Sequence, residues 1–296
     1  MKWGFNMAKL KSFSKVNSYI TCPYQHYLRY VEKWYPKQKS RSLAVGSAIH
    51  NCCEAFRKNE LDTFDFDMTD EIDLKKWLEY YKKYSRIIVD YDFLYIEKAF
   101  RCRGFIGILD GIVRNKRTGK LWIYEMKTFS KTPSEFDRIF RPQPYIYYQQ
   151  LRNKNINVEG VVWEYVKSEL PKEPALLKSG KLSTSLNNSI IPDTIIEACN
   201  KYGLNADDYK DLIEQSKINI TNYFDVKERF ITPEVAEKMF DEFNAVRINK
   251  KNKKKHINSI TCKSCSYKDV CLGELTGCDI DYILEENFVN KKRGNE

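Results

Sequence analysis

The sequence predicts an α/β (α+β) fold, a central mixed β-sheet flanked by helices with a helical, cysteine-bearing part at its C-terminal side. Three observations carry this expectation. Apolar residues recur at helical spacing up to residue 89, alternate with a period of two from Leu94, and resume helical spacing after a last alternating run at 158–166. Between 94 and 166 the order is βββαβ, which suits one mixed sheet covered by helices. Three cysteines, Cys262-x2-Cys265-x5-Cys271, crowd a short stretch near the end of the chain.

The elements follow in order. Residues 13–34 read as two short helical pieces broken at Cys22-Pro23, where proline suits the first turn of a new helix. Residues 37–41 form a basic, polar linker. In 43–58, Leu43, Ile49, Cys52, Cys53 and Phe56 make an apolar stripe at helical spacing. The acidic run at 60–73 reads as a loop, and 74–89 returns to helix, rich in Tyr and Lys. Strands are expected at 94–100, 103–114 and 120–128, the last two joined by a turn ending in Thr118-Gly119. A helix at 143–153 has Pro144 in its first turn, and a strand follows at 158–166. The polar segment 168–192 reads as a surface excursion, with helices near 194–202, 207–217 and 233–249. Arg247, Lys250, Lys251, Lys253, Lys254 and Lys255 then form a mobile basic tract.

Bulk properties narrow the function classes. With 296 residues the chain is long enough for a sizeable core, and 20 Tyr and 16 Phe argue against disorder. A formal net charge of +10 favours a polyanionic partner. No run of about 18 apolar residues occurs, so no membrane span is expected, and Met1 to Met7 lack the apolar core of a signal peptide. A cytoplasmic location is therefore expected. In that reducing setting the 9 Cys read as metal ligands or buried apolar groups rather than disulfides. The chain has no GxxxxGK[ST] loop, so any DNA-unwinding motor would be a separate helicase chain.

Parity on the strands points to a site. Ile106, Ile108, Asp110 and Ile112 share one face, and Asp110 is the charge among them, costly there unless paired or bound to a metal. Leu121, Ile123, Glu125 and Lys127 share a face of the next strand, so a hairpin can set Asp110 beside Glu125 and Lys127. Two carboxylates suit a hard cation such as Mg²⁺, with the lysine orienting a water or stabilising charge on a phosphate. A structural Glu125–Lys127 salt bridge is the plain alternative. His50 lies one turn after Gly46 and offers an imidazole ligand that also suits Mn²⁺, while Gly46 would let its helix approach the sheet. Gln143 and Tyr147 sit one turn apart and can contact phosphate or stack on bases. The cysteine run offers three thiolates, and a tetrahedral site needs a fourth, from Cys22 or from Cys278. Cys52, Cys53, Cys102 and Cys199 read as core residues.

The ordered motifs GSAIH at 46–50, GILDG at 107–111, YEMKT at 124–128 and QPYIY at 143–147 resemble the PD-(D/E)XK nuclease superfamily. More narrowly they resemble its RecB-like branch, which includes CRISPR-associated exonucleases and the AddB nuclease domain. The resemblance covers roughly residues 12–167 and 260–272, with Leu109 where the motif has proline. It implies a restriction-endonuclease-like core and a metal-dependent exodeoxyribonuclease acting on single-stranded ends or flaps. By position it assigns metal binding to His50, Asp110, Glu125 and the Met126 carbonyl, catalysis to Lys127 with Asp110 and Glu125, and DNA contact to Gln143 and Tyr147. It also implies a [4Fe–4S] cluster on Cys22, Cys262, Cys265 and Cys271, with structural zinc as the alternative. The chain then divides into a nuclease core at 1–167, a helical insertion at 168–258, and an iron–sulfur segment at 259–296 that packs back on the N-terminal helices. The competing functional expectation is an inactive DNA-binding or scaffold protein with a structural metal site.

Overall fold

A computed structural model describes residues 10–38, 40–130, 134 and 141–292. The leading stretch, where the sequence lacks a signal-like core, lies outside the described residues. The described residues begin with α1 (Phe13–Thr21) and α2 (Pro23–His26), the latter continuing as a π-turn over Tyr27–Val31, and then β1 (Trp34–Pro36). Next come α3 (Arg41–Lys58), α4 (Leu74–Tyr84), α5 (Arg86–Asp90), β2 (Tyr91–Cys102), β3 (Phe105–Asn115) and β4 (Leu121–Phe129). After α6 (Gln143–Arg152) and β5 (Gly160–Lys167) follow α7 (Pro192–Tyr202), α8 (Lys210–Ser216), β6 (Phe224–Phe230) and α9 (Pro233–Ala245). The chain ends in α10 (Ser259–Lys263), α11 (Lys268–Thr276), α12 (Ile280–Asn287) and β7 (Phe288–Asn290).

Five strands form one mixed sheet in the order β2-β3-β4-β5-β6, in which only β4 and β5 run parallel, joined over the sheet through α6. Both faces are covered. On one, α3 and α4 bury Ile49, Cys53, Trp77 and Tyr81 against Trp122, Tyr124 and Met126. On the other, Tyr147, Tyr148 and Leu151 of α6 pack on Ile112, Ile123 and Trp163. The expected α+β architecture with a central mixed sheet is thus the observed one.

Several details differ from the expectation, each for a local reason. The helix expected over 74–89 breaks at Ser85, which turns extended and donates its hydroxyl to the buried Glu164. β6 escaped notice because Asp225, Lys227, Glu228 and Arg229 blur its alternation, as charges do on edge strands. It places part of the 168–258 stretch in the main sheet, paired with β5. The segment 168–192 is not wholly on the surface, since Leu182, Ile190 and Ile191 are buried. Cys102, expected in the core, is half-buried and takes a hydrogen bond from Asn153 at 2.9 Å, while Cys52, Cys53 and Cys199 are fully buried.

The basic tract is held rather than free. Tyr24 donates its backbone N–H to the Lys254 carbonyl at 3.1 Å, Asn252 bonds the Tyr19 hydroxyl at 3.1 Å, and Lys253 lies 4.5 Å over the Tyr27 ring. Nearby, β7 pairs with β1, Tyr267 donates to the Trp34 carbonyl at 2.6 Å, and Tyr267 stacks on Phe288. These contacts bring the two ends of the described chain together around a separate small core of Tyr24, Leu28, Trp34, Val270 and Leu284.

Candidate active site

The site forms where β3 and β4 part company. Their ladder runs from Arg114↔Leu121 to Gly111↔Tyr124, and one step further the Asp110 side chain takes the Met126 N–H at 2.9 Å. A carboxylate here satisfies a backbone donor that the diverging strand no longer reaches. Ile108 is 55% exposed, so the Asp110 face leaves the core at this point and opens to solvent.

Two close approaches complete the walls. A Cβ on Gly46 would lie 2.8 Å from the Thr128 hydroxyl, so glycine lets α3 rest on β4 with His50 one turn further on. A Cβ on Gly107 would lie 2.5 Å from the Tyr147 ring, so glycine likewise lets α6 rest on β3. The His50 Nε2 thereby comes 3.3 Å from Asp110 Oδ2, and the buried Tyr147 accepts a hydrogen bond from Gln143 at 2.9 Å. Lys127 donates to Glu125 in a close ion pair. The remaining Glu125 oxygen, Oε2, is buried without a hydrogen-bond partner.

Titration behaviour reflects this crowding. Burial, and then the neighbouring Asp110 charge, pushes the Glu125 carboxyl up to about 7. Burial also acts to raise Asp110, but the His50 hydrogen bond and the Lys127 charge hold it below its ordinary value. Burial would lower His50 and Lys127, yet the facing carboxylates raise both. The Tyr147 hydroxyl is raised by burial and by Glu125, which places it against the acidic cluster.

The sequence motifs therefore converge: His50, Asp110, Glu125, Lys127, Gln143 and Tyr147 line one site, and the Met126 peptide borders it. One residue was missed. Glu97 Oε1 stands 3.6 Å from His50 Nε2, and His50, Glu97 and Asp110 together bring ligand atoms within 4.8 Å of one another. The only signal in the sequence was a lone carboxylate in a strand, which says nothing of its cross-strand partner. The donor set of imidazole and carboxylates, with an orphaned carboxylate oxygen beside it, fits a hard divalent cation.

Residues 11–272 match the PD-(D/E)XK nuclease superfamily. The chain belongs to that superfamily. This PD-(D/E)XK protein is accordingly a nuclease, a hydrolase with DNA as its substrate and divalent metal as its aid, and its sheet with flanking helices is a restriction-endonuclease-like core. Among curated proteins no match is found. No described helix is long and apolar enough to cross a membrane.

The four cysteines meet elsewhere in the fold. Cys22, Cys262, Cys265 and Cys271 all line one cavity of about 820 Å³ between α1, α2 and the C-terminal helices, which none of the acidic-site residues lines. Burial pushes the Cys271 thiol up to about 11 and raises Cys265, and both feel the charge of Cys22. Cys278 is exposed, bonds with the Thr276 hydroxyl at 3.3 Å, and does not line that cavity.

Proposed function

We propose that this chain is a deoxyribonuclease of the RecB-like branch, an exonuclease trimming single-stranded DNA ends or flaps in recombination, repair, phage replication or CRISPR adaptation. The observation that carries the reading is the convergence of His50, Asp110, Glu125 and Lys127 from one helix and two strands around an unpartnered, buried carboxylate oxygen. His50, Asp110, Glu125 and the Met126 carbonyl would hold Mg²⁺ or Mn²⁺, which when bound supplies an activated water and neutralises charge on the scissile phosphate. Asp110 is oriented for this by the Met126 N–H, and His50 by Asp110. Lys127, kept charged by Glu125 and Asp110, faces the reacting phosphate and stabilises its developing negative charge. Gln143 and Tyr147 contact the DNA strand beside the metal. The exposed Arg247, Lys250, Lys251, Lys253 and Lys254 offer phosphates a positive track, in keeping with the net charge of +10.

The cysteine cavity suits a [4Fe–4S] cluster on Cys22, Cys262, Cys265 and Cys271, a staple between the chain's two ends. Tetrahedral zinc, with Zn–S of about 2.3 Å, needs sulfurs about 3.8 Å apart. The soft thiolates suit an iron–sulfur cluster, and zinc would take the same four ligands. A cytoplasmic setting and a separate helicase partner complete this reading.

Digestion of end-labelled single-stranded and duplex DNA with Mg²⁺ or Mn²⁺ tests it, comparing wild type with Lys127→Ala. Metal-dependent shortening from single-stranded ends, reduced by about 100-fold or more in the variant, is the expected result. Cleavage that survives undiminished in Lys127→Ala would sink the assignment of that lysine. DNA binding without cleavage by wild type would favour the inactive scaffold.

A further inference from the structure

We infer that Glu97 is a ligand of the divalent cation, binding it from the opposite side of Asp110 to Glu125. The inference rests on the metal-binding reading above and adds a residue that the motifs do not contain. The β2–β3 register passes from Ile96↔Gly111 to Lys98↔Leu109, which sets Glu97 directly across from Asp110. That alignment exists because β2 slips by one residue between Phe93 and Tyr95. Glu97 itself sits at φ 46°, in the left-handed region that residues with a Cβ avoid. Backbone strain of this kind persists where the surroundings fix it and clusters at functional sites.

The contacts point to a cation. Glu97 and Asp110 both face His50 Nε2, at 3.6 and 3.3 Å, and the three side chains remain partly open to solvent. Their ligand atoms fall within 4.8 Å of one another, close enough for one six-coordinate ion with bonds of about 2.1 Å, leaving positions for water or phosphate. Glu125 is not part of that group, being drawn to Lys127. Three carboxylates, Glu97, Asp110 and Glu125, thus face one ammonium and one imidazole. The plain alternative is that Glu97 only orients His50.

Mn²⁺ binding measured by the disappearance of the free-ion electron-paramagnetic-resonance signal, without DNA, separates the two. Wild type, Glu97→Gln and Asp110→Asn are compared, with thermal melting of each in the absence of metal. Glutamine keeps the size and a hydrogen-bond acceptor for His50 but loses the charge. The expected result is at least a tenfold weaker Mn²⁺ affinity in Glu97→Gln, with a metal-free melting temperature no lower than that of wild type. Wild-type affinity in Glu97→Gln, or lost affinity together with a fallen metal-free melting temperature, would overturn the assignment and leave Glu97 a structural partner of His50. The metal-binding reading itself stands or falls on the other two proteins. No Mn²⁺ uptake by wild type, or undiminished uptake by Asp110→Asn, would overturn it together with this inference.

Discussion

A buried side chain with no partner marks either a ligand site or a cost, and two residues here show one of each. Glu125 Oε2 is orphaned beside a cluster of metal-type donors, and a cation held there as proposed would relieve its isolation. His26 has no such relief. It is buried under Tyr19 and Tyr30, its Nε2 has no partner, and burial together with the Lys15 charge pushes it down to about 4. Between the unfolded value of about 6.5 and the folded one, only the unfolded chain takes up the proton. Stability is therefore complete above pH 6.5 and falls as pH drops towards 4, and at pH 4.5 the His26 share of the loss is about 2–3 kcal/mol. Urea unfolding at pH 7 and 4.5 should show a smaller acid loss in His26→Phe than in wild type. Equal losses would mean that the imidazole is solvated or paired. At this scale the sequence was legible where chemistry and spacing coincide, as for His50, Asp110, Glu125 and Lys127. It was silent on Glu97, whose role depends on a one-residue slip of β2 that no local pattern announces.

Between elements, two glycines set how closely helices approach the sheet, and their surroundings predict different outcomes for the same substitution. A Cβ on Gly107 meets the Tyr147 ring and the Gln150 amide oxygen, both at 2.5 Å and both on buried side chains of α6. Gly107→Ala should cost about 1–3 kcal/mol through overpacking and weaken DNA cleavage by displacing Tyr147. At Gly46 the clash is with one threonine hydroxyl at 2.8 Å, and alanine in a helix interior gains up to about 1 kcal/mol over glycine. Gly46→Ala should therefore leave stability nearly unchanged while moving α3, and with it His50, away from β4. Urea midpoints and cleavage rates of the two variants check the contrast. A stability loss as large in Gly46→Ala as in Gly107→Ala would refute it. The helix carrying His50 has a second anchor, the buried pair Arg57–Glu164 at 2.8 Å, with Tyr81 also donating to Glu164. The glycine and histidine of α3 were readable in sequence, because GSAIH is local. The anchor was not, since Glu164 lies on a strand whose partner helix is over 100 residues away, and β6 was hidden by its own charges.

On the scale of the molecule, the fold has a large core on both faces of the sheet and a smaller one where the two ends of the described chain meet, with α1 packed on β3 beside them through Val16 and Phe105. The small core of Tyr24, Trp34, Tyr267 and Phe288 abuts Cys22, Cys265 and Cys271, and three further ties span it: β1 with β7, Tyr267 with Trp34, and residues 252–256 across α1 and α2. Neither the β1–β7 pairing nor the seating of the basic strap was visible in the sequence, since both depend on where a remote segment comes to rest. Such a satellite core should open as its own unit. If the four thiolates hold a cluster, Cys271→Ser removes one ligand and exposes a cavity of about 820 Å³ with no filling group. The expected result is loss of visible absorbance, faster hydrogen exchange and proteolytic cutting in residues 22–36 and 252–290, and unchanged exchange in β3, β4 and β5. The basic strap would loosen with the satellite core, so affinity for single-stranded DNA should fall and its salt dependence flatten. Hydrogen exchange of wild type and variant decides the matter. Protection lost evenly across the central sheet would show that the two cores fold as one. Protection unchanged in both would show that the cysteines hold nothing the fold depends on.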